Sequence, residues 1–344
     1  MSDNKRVLVV GGAGYLGCVL VPILTEAGYE VSILDRCFFG PCDHAVIRRD
    51  MREEIPLDGY GAIINIGGLS NDPTAEFNEA ANYSMNTDAA IVLAERAKAA
   101  GVSRYVYASS ASLYDVASMR EEDDVVMDED LPIPVPTKPY SHSKYLAERG
   151  LLPLSDESFA VTCLRKGTLY GQSPRMRYDL VVNAFVKDAL TTGTINLHGY
   201  GRMWRPLVSV SNAARAYLAV LDADADKVAG QIFNVVGKNW RISELALYAS
   251  WVLDHCGVPS SLKMETGGAL RSYRISGRKL QTLGWNGRSD ITENIEEMVD
   301  CAQDMSPAEL YHPRYYNIAW MKLLEETRSA QGVDGSIFDI PEGV

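Results

Sequence analysis

The sequence has no long hydrophobic run. The longest apolar runs among its 344 residues are of strand length, which is too short to cross a bilayer. Residues 1–5, Met-Ser-Asp-Asn-Lys, also lack the apolar stretch of a secretory signal. We therefore expect no membrane association and a cytoplasmic location.

Patterned cysteines are missing as well. The six cysteines show neither the close pairs of a metal site nor the spacing of a disulfide framework. We expect reduced thiols and no metal ion at these positions, which are Cys18, Cys37, Cys42, Cys163, Cys256 and Cys301.

Positive charge is scarce. Lysines and arginines number 33 against 45 aspartates and glutamates, which gives a formal net charge of −12. This balance opposes binding to nucleic acid, so we expect none. An anionic small molecule must then be held by a local group of arginines, and the second half of the chain supplies Arg175, Arg177, Arg202, Arg205, Arg271 and Arg274.

Residues 7–17 read Val-Leu-Val-Val-Gly-Gly-Ala-Gly-Tyr-Leu-Gly, an apolar strand, a glycine-rich turn and a helix that we expect to begin near Tyr15. Two glycine patterns overlap. Gly12, Gly14 and Gly17 fit G-x-G-x-x-G, whereas Gly11, Gly14 and Gly17 fit a pattern spaced by three. In both interpretations the free N–H groups at the helix start favour a pyrophosphate, which predicts a dinucleotide site.

An acidic residue follows the next predicted strand. That strand, 30–34, leads into Asp35, eighteen residues after Gly17. A carboxylate there accepts hydrogen bonds from the adenosine ribose and repels a 2′-phosphate, which favours NAD over NADP. Arg36 weakens that preference, so we expect NAD without excluding NADP.

Predicted strands and helices alternate over the first 165 residues. Strands are predicted at 6–10, 30–34, 45–49, 62–66, 104–108 and 160–165, with an amphipathic stretch at 81–100. This order predicts an α/β fold with a Rossmann-type, doubly wound parallel sheet. We expect residues 1–170 to form the NAD-binding domain, segments near 205–240 to return to it, and residues 171–344 to form mainly a smaller mixed α/β lobe for the substrate. That lobe contains predicted helices at 180–190, 211–221, capped by Ser211 or Asn212, 243–256 and 291–301, and a strand at 232–236.

Tyr140 and Lys144 are spaced to share one face of a helix that begins at Pro139. We expect the ammonium group to lower the pKa of the phenol, so that the phenolate can remove a proton from a substrate hydroxyl. Ser110, at the end of an apolar strand thirty residues earlier, can bind the same substrate oxygen. A serine turn alone also has a purely structural explanation, as a cap of its own backbone.

The order of these parts resembles the extended short-chain dehydrogenase/reductase family, in its nucleotide-sugar epimerase and dehydratase branch. The resemblance covers nearly the whole chain. It implies an enzyme of carbohydrate biosynthesis in which Ser110, Tyr140 and Lys144 are catalytic. It also implies that the cofactor-binding residues are Gly11, Gly14, Tyr15, Leu16, Gly17, Asp35, Arg36, Asp50, Met51, Ile66, Gly67, Gly68, Asn86, Tyr140 and Lys144.

Two residues depart from the pattern of that family. Its sugar-nucleotide dehydratases have an Asp-Glu pair directly after the catalytic serine, and its UDP-xylose-forming decarboxylases have a glutamate in the second place. This chain has Ala111 and Ser112 there. The resemblance therefore disfavours dehydration and decarboxylation, and leaves oxidation and re-reduction at one carbon or the reduction of a keto sugar.

The resemblance also implies which residues bind a nucleoside-diphosphate sugar. Arg205, within Trp-Arg-Pro, and Arg271 correspond to arginines that bind the diphosphate. Lys166 also departs from the family, which often has an aromatic residue or asparagine there; it is expected either near a carboxylate or keto oxygen of the sugar or, structurally, paired with a nearby acid. The full set is Ser110, Ser112, Lys166, Thr168, Arg175, Asn183, Arg205 and Arg271. A homodimer, formed through the stretches 81–100 and 143–152, rests on the resemblance alone.

The sequence therefore predicts an NAD-dependent nucleotide-sugar epimerase that acts at C4, through a 4-keto intermediate that is re-reduced on its other face. The alternative is an NAD(P)H-dependent nucleotide-keto-sugar reductase, which needs the same residues. A third interpretation is a dinucleotide-binding protein without catalysis, which would not need Ser110, Tyr140 and Lys144.

The first prediction concerns Tyr140. Tyr140→Phe removes the proton acceptor but keeps the ring, so turnover should be lost while NAD stays bound. Turnover of nucleotide sugars and the NAD content of the purified protein check this. Activity retained in the variant would contradict the assigned role.

Overall fold

Twelve strands form the sheets of the structure, a computed structural model that describes residues 4–40, 42, 44–117, 125–267, 271–288 and 290–340. They are β1 (Arg6–Val10), β2 (Glu30–Leu34), β3 (Val46–Ile47), β4 (Ala62–Asn65), β5 (Arg104–Ser110), β6 (Ala160–Lys166), β7 (Thr168–Tyr170), β8 (Thr194–His198), β9 (Trp204–Ser209), β10 (Gln231–Val235), β11 (Lys238–Arg241) and β12 (Ser261–Glu265).

Thirteen α-helices connect the described strands. They are α1 (Gly17–Glu26), α2 (Asp72–Phe77), α3 (Glu79–Tyr83), α4 (Ala89–Ala99), α5 (Pro139–Leu151), α6 (Val181–Thr192), α7 (Val210–Asp222), α8 (Ala225–Val228), α9 (Ile242–His255), α10 (Arg278–Gln281), α11 (Ile291–Ala302), α12 (Pro307–Leu310) and α13 (Asn317–Ala330). None of the described helices is long and apolar enough to span a membrane.

The central sheet has seven parallel strands in the order β10-β6-β5-β4-β1-β2-β3. Its central strands are almost wholly buried because both faces are covered by helices, which is why they read as continuous apolar runs. The order reverses beside β1, so the connections that follow β1 and β4 run to opposite faces of the sheet and leave a crevice at the carboxyl ends of the strands. The predicted fold class is confirmed.

Two small sheets lie outside the central one. One is β11-β9-β7 and the other pairs β12 with β8. After β9 the chain returns to the lobe that contains the central sheet, here called the first lobe. Helix α7 packs on α1, and β10 pairs with β6. Both α7 and β10 lie between residues 205 and 240.

Three predicted helices differ from the observed ones. Helix α1 begins at Gly17 rather than near Tyr15. Helix α7 begins one residue before the predicted start, and its N-cap is Ser209, whose hydroxyl accepts a hydrogen bond from Asn212 N, rather than Ser211 or Asn212. The stretch 81–100 is interrupted by a π-helix, Ser84–Asp88, between α3 and α4. Apolar spacing does not reveal such a local insertion in the helical register.

The end of the described chain packs on the first lobe. Met321 of α13 and Phe338 are buried in the core of that lobe. Arg52 donates a hydrogen bond to Phe338 O, and Trp320 Nε1 donates one to Phe38 O, each at 2.5 Å. The sequence analysis assigned residues 171–344 mainly to the substrate lobe and gave no sign that Met321 and Phe338 pack on the first lobe.

A buried ion pair joins α5 to the central sheet. The guanidinium of Arg165 in β6 donates two hydrogen bonds to the carboxylate of Glu148 in α5, at 2.9 and 2.7 Å, and both side chains are buried. Ser109 donates a third hydrogen bond to the same carboxylate, at 2.5 Å. The ion pair therefore fixes α5, which carries Tyr140, against β6. The hydrogen bond from Ser109 fixes it against β5, the strand that ends at Ser110.

Glu148→Ala should lower the free energy of unfolding by about 3–5 kcal/mol, because the charge of Arg165 stays buried without its partner. Urea denaturation of the purified variant measures this. Lys227→Gln, which breaks the exposed pair with Asp224, should have a much smaller effect because solvent screens both charges. Equal effects of the two substitutions would show that the buried pair has no special role.

Candidate active site

The glycine turn after β1 lies against the loop after β4. Gly11 has φ +85°, and a Cβ there would lie 2.7 Å from the backbone N and Cα of Gly67. A Cβ on Gly17 would overlap the backbone of Gly12, while one on Gly12 would meet the Ile33 side chain at 2.7 Å. Side chains are therefore excluded at Gly11, Gly12 and Gly17, which belong to the two overlapping patterns. The start of α1 lies open to the cavity above it.

A cavity of about 500 Å³ runs over this turn to the catalytic residues. Predicted cofactor residues that line it are Gly11, Gly14, Tyr15, Leu16, Gly17, Asp35, Arg36, Asp50, Met51, Ile66, Gly67, Gly68, Tyr140 and Lys144. The glycine turn leaves room above the start of the ten-residue helix α1, and Asp35 lies at the end of the next strand, β2. These features together suit a dinucleotide. The residues present therefore fit NAD.

Asp35 lies at the end of β2, beside the glycine turn. Its carboxylate accepts hydrogen bonds from the backbone N–H groups of Ala13, at 3.0 Å, and Cys37, at 2.7 Å. Burial raises the pKa of Asp35, and these two N–H groups oppose the rise. They hold the carboxylate at the edge of the cavity, where a ribose would need its acceptor.

Arg36 and Asp50 form an ion pair of 3.0 Å, and Arg52 makes two further hydrogen bonds to Asp50, both 2.8 Å. Burial alone would raise the pKa of Asp50, but the hydrogen bonds of Arg52 and the charge of Arg36 hold it below its usual range. Because the Arg36 guanidinium is committed to Asp50, it is not free for a 2′-phosphate. Binding of the cofactor by Asp50 stays a prediction.

Asn86 lies beneath the cavity, in the π-helix. Its amide donates hydrogen bonds to Leu69 O, at 3.0 Å, and to Asn82 Oδ1, at 2.8 Å. It thereby supports the loop after β4, and its Oδ1 would meet any Cβ added at Gly68. A direct contact of Asn86 with the cofactor stays a prediction.

Ser110 and Tyr140 meet in the cavity, as their order in the sequence predicts. Burial raises the pKa of Tyr140 to about 12, and a hydrogen bond with Ser110 and the charge of Arg177 oppose this rise. The phenol is therefore protonated at neutral pH in the protein alone, in contrast to the expected lowering of its pKa. A second contribution to phenolate stability has to come with the bound ligands.

Lys144 binds Tyr107 in this structure. Its amine donates a hydrogen bond to the hydroxyl of Tyr107, at 3.0 Å, and lies 4.7 Å from the centroid of that ring. Burial lowers the pKa of Lys144 to about 7. Arg177 is a cation whose charge opposes the raised pKa of Tyr140, and the expected effect of Lys144 on Tyr140 stays a prediction.

The predicted substrate residues divide into two groups. Ser110, Ser112, Lys166, Thr168, Arg175 and Arg271 line the first cavity, whereas Arg205 and Thr168 line a second one of about 580 Å³. The two cavities share Thr168, Asp179 and Leu180, so together they form one trough. Lys166 donates a hydrogen bond to Ser109 O at 3.1 Å, and burial with the nearby Lys144 lowers its pKa.

Arg175 and Asn183 lie elsewhere than expected. The Arg175 guanidinium stacks on Phe39, 3.7 Å from the ring centroid, and influences Asp35 electrostatically, so it lies at the cofactor end. Asn183 is buried and lines neither cavity. Its amide binds Gly171 N, Tyr15 Oη and Arg177 O, which makes it a support for the trough wall. Substrate binding by these two residues stays a prediction.

Several residues of the cavity were missed by the sequence analysis. Arg177, paired with Asp179 at 2.8 Å, lies near Tyr140, and Asn317 binds both Arg175 and Ser70. The arginine cluster in the sequence pointed to Arg177, but nothing in it separated this residue from its neighbours. The remaining missed residues of this end are Asp72, Tyr273 and Met321.

Comparison with known proteins decides the family. The model of the NAD dependent epimerase/dehydratase family matches residues 7–236, two thirds of the chain. The chain belongs to this family. It is therefore an NAD-dependent enzyme of the epimerase/dehydratase type, and the predicted family, enzymatic nature and cofactor are confirmed.

Individual relatives of this family member are distant. A Methanocaldococcus jannaschii protein provisionally named a UDP-glucose 4-epimerase is 26% identical over 86% of this chain and 97% of its own length. The UDP-glucose 4-epimerase of Neisseria meningitidis serogroup B is 24% identical over 85% of this chain and 96% of its own. The solved structure of MoeE5 with UDP-glucose and NAD is 25% identical, with a TM-score of 0.72 over 86% of this chain and 97% of that one.

Lys144 should make the stability of the ligand-free protein rise with pH. Its folded-state pKa of about 7 lies below its unfolded-state value near 10.4, so between these values the unfolded state binds more protons. Relative to Lys144→Met, the wild type should gain about 2 kcal/mol between pH 7 and pH 9. Urea denaturation of both proteins at each pH tests this, and a constant difference would contradict the lowered pKa.

Proposed function

We propose that this enzyme epimerises a nucleoside-diphosphate sugar at C4, with NAD retained through the cycle. The observation that supports this is that Tyr140 and Ser110 share one cavity with the glycine turn, while positions 111 and 112 carry no acid or base. Ala111 is fully buried, and Ser112 presents a hydroxyl that has no hydrogen-bond partner among the described residues. Transfer of one proton to and from one oxygen is the chemistry that such a site can perform.

The trough supports a nucleotide sugar as the substrate. Its first cavity holds the catalytic residues and its second holds Arg205, whose guanidinium lies 5.9 Å from the centroid of Tyr273. Burial lowers the pKa of Arg205, so a doubly charged diphosphate would stabilise its cationic form. Solved structures of relatives contain UDP-glucose or UDP-glucuronic acid, which supports a nucleotide sugar as the ligand of this trough.

In the proposed cycle Tyr140 removes the proton of the C4 hydroxyl and Ser110 fixes the same oxygen by a hydrogen bond. Arg177 stabilises the phenolate by its charge. Bound NAD supplies the acceptor and donor of the hydride. The protein must then let the 4-keto sugar turn its other face, after which Tyr140 returns the proton and no net oxidation results.

The oligomeric state belongs to the proposal as well. We expect a homodimer formed through α4 and α5, and Val92 of α4 is 41% exposed in the single chain.

Proton NMR of nucleotide sugars incubated with the enzyme tests the function. The panel holds UDP-hexoses, UDP-hexuronates and dTDP-4-keto-6-deoxyhexoses, and the absorbance of NADH is followed in the same sample. We expect a new epimer without added cofactor and without net change in NADH. Stoichiometric consumption of NAD(P)H with a keto sugar would instead show a reductase, and no conversion of any compound would refute both.

A further inference from the structure

Arg271 lies between two carboxylates at the catalytic end of the trough. Its Nη2 pairs with Asp72 Oδ2, and its Nε pairs with Asp115 Oδ2 at 3.0 Å. Asp72 is the first residue of α2 and Asp115 follows β5, so both belong to the first lobe, whereas Arg271 comes from the segment after β12. All three side chains are largely buried, with exposed fractions between 14% and 22%.

The two arginines predicted to bind the diphosphate differ in their charge balance. Arg271 is compensated by two carboxylates, one of which also pairs with Lys138 at 3.5 Å. Arg205 forms no salt bridge within the described part of the chain, and its Nη1 donates only to Trp204 O, at 3.0 Å.

Asp72 keeps one oxygen available. Its Oδ1 is buried at the cavity wall and has no hydrogen-bond partner among the described residues. The carboxylate also acts electrostatically on Tyr140, so it lies near the reacting end of the cavity. A buried acceptor without a donor is costly, and a ligand hydroxyl would satisfy it.

We propose that Asp72, oriented by Arg271, binds a hydroxyl of the reacting sugar. The proposal rests on the proposed function and adds a specificity to it. Asp72 Oδ1 accepts a hydrogen bond from the sugar, and the ion pair with Arg271 holds the carboxylate in place and ionised.

This assignment predicts a preference for neutral sugars. Asp72 and Asp115 are offset by Arg271 and by Lys138, which pairs with Asp115, and Arg177 is paired with Asp179. The amine of Lys166 is bound to Ser109 O. A carboxylate at C6 of the sugar would therefore meet Asp72 with too little positive charge to offset the repulsion.

Binding of three ligands tests the proposal. NAD-loaded protein with Tyr140→Phe, which prevents turnover, is titrated calorimetrically with UDP, UDP-glucose and UDP-glucuronic acid. Asp72→Asn should weaken UDP-glucose about tenfold, leave UDP unchanged and remove the disadvantage of UDP-glucuronic acid. Arg271→Gln should also weaken UDP-glucose because it releases the carboxylate, but it should increase the disadvantage of UDP-glucuronic acid because Asp72 and Asp115 lose their cationic partner. Arg205→Gln should weaken all three ligands.

Asp224→Asn, the same substitution in the exposed pair with Lys227, is the matched control and should change none of the three affinities. NAD content and thermal unfolding establish that each variant is folded. Asp72→Ala is used in place of Asp72→Asn if the latter does not fold. Equal weakening of UDP and UDP-glucose by Asp72→Asn or Arg271→Gln would assign the pair to the diphosphate and overturn the proposal. So would unchanged binding of all three ligands.

The titrations distinguish a failure of the Asp72 proposal from a failure of the proposed function. If UDP compounds do not bind, the same series with dTDP, GDP and CDP is titrated. Failure of every series would refute the nucleotide-sugar function, and the specificity with it. Epimerisation of a sugar nucleotide whose binding does not depend on Asp72 would refute the specificity alone.

Discussion

The close approach of Gly11 and Gly67 sets the shape of the active site. A single Cβ at Gly11 would lie 2.7 Å from the neighbouring backbone, so the loops after β1 and β4 touch only because both carry glycine there. Their contact forms the floor of the cavity and directs the start of α1 into it. The dinucleotide site and the catalytic residues depend on this floor, because α5 and β5 are placed by the same sheet.

Charges in the site are mostly paired before any ligand arrives. Arg36 and Arg52 neutralise Asp50, Arg177 neutralises Asp179, and Arg165 neutralises Glu148. These pairs keep the polar walls of a buried trough in fixed positions, since each unpaired charge would be costly to bury. Arg205 and Lys166 stand outside this pairing, and Asp72 keeps one free oxygen. Ligand recognition therefore concentrates at these few groups.

The catalytic pair illustrates how environment changes a residue's chemistry. The four-residue spacing of Tyr140 and Lys144 holds in the helix, yet the amine turns to Tyr107 and the phenol has a raised pKa. Local spacing places two side chains on one face, but neighbours from β5 and from the segment 175–179 decide their charges. The same holds for Arg175, which lies near Asp35 rather than near the sugar end.

The sequence by itself determined the parallel sheet, the glycine turn, the acid at the end of β2 and the order of Ser110, Tyr140 and Lys144. These are local signals, since each depends on residues within one strand, turn or helix. Tertiary structure alone decided the π-helix around Asn86, the return of Met321 and Phe338 to the first lobe, and the pairing of Asp72 with Arg271. Asp72 and Arg271 lie about two hundred positions apart, and no spacing or periodicity links such residues until the fold brings their segments together.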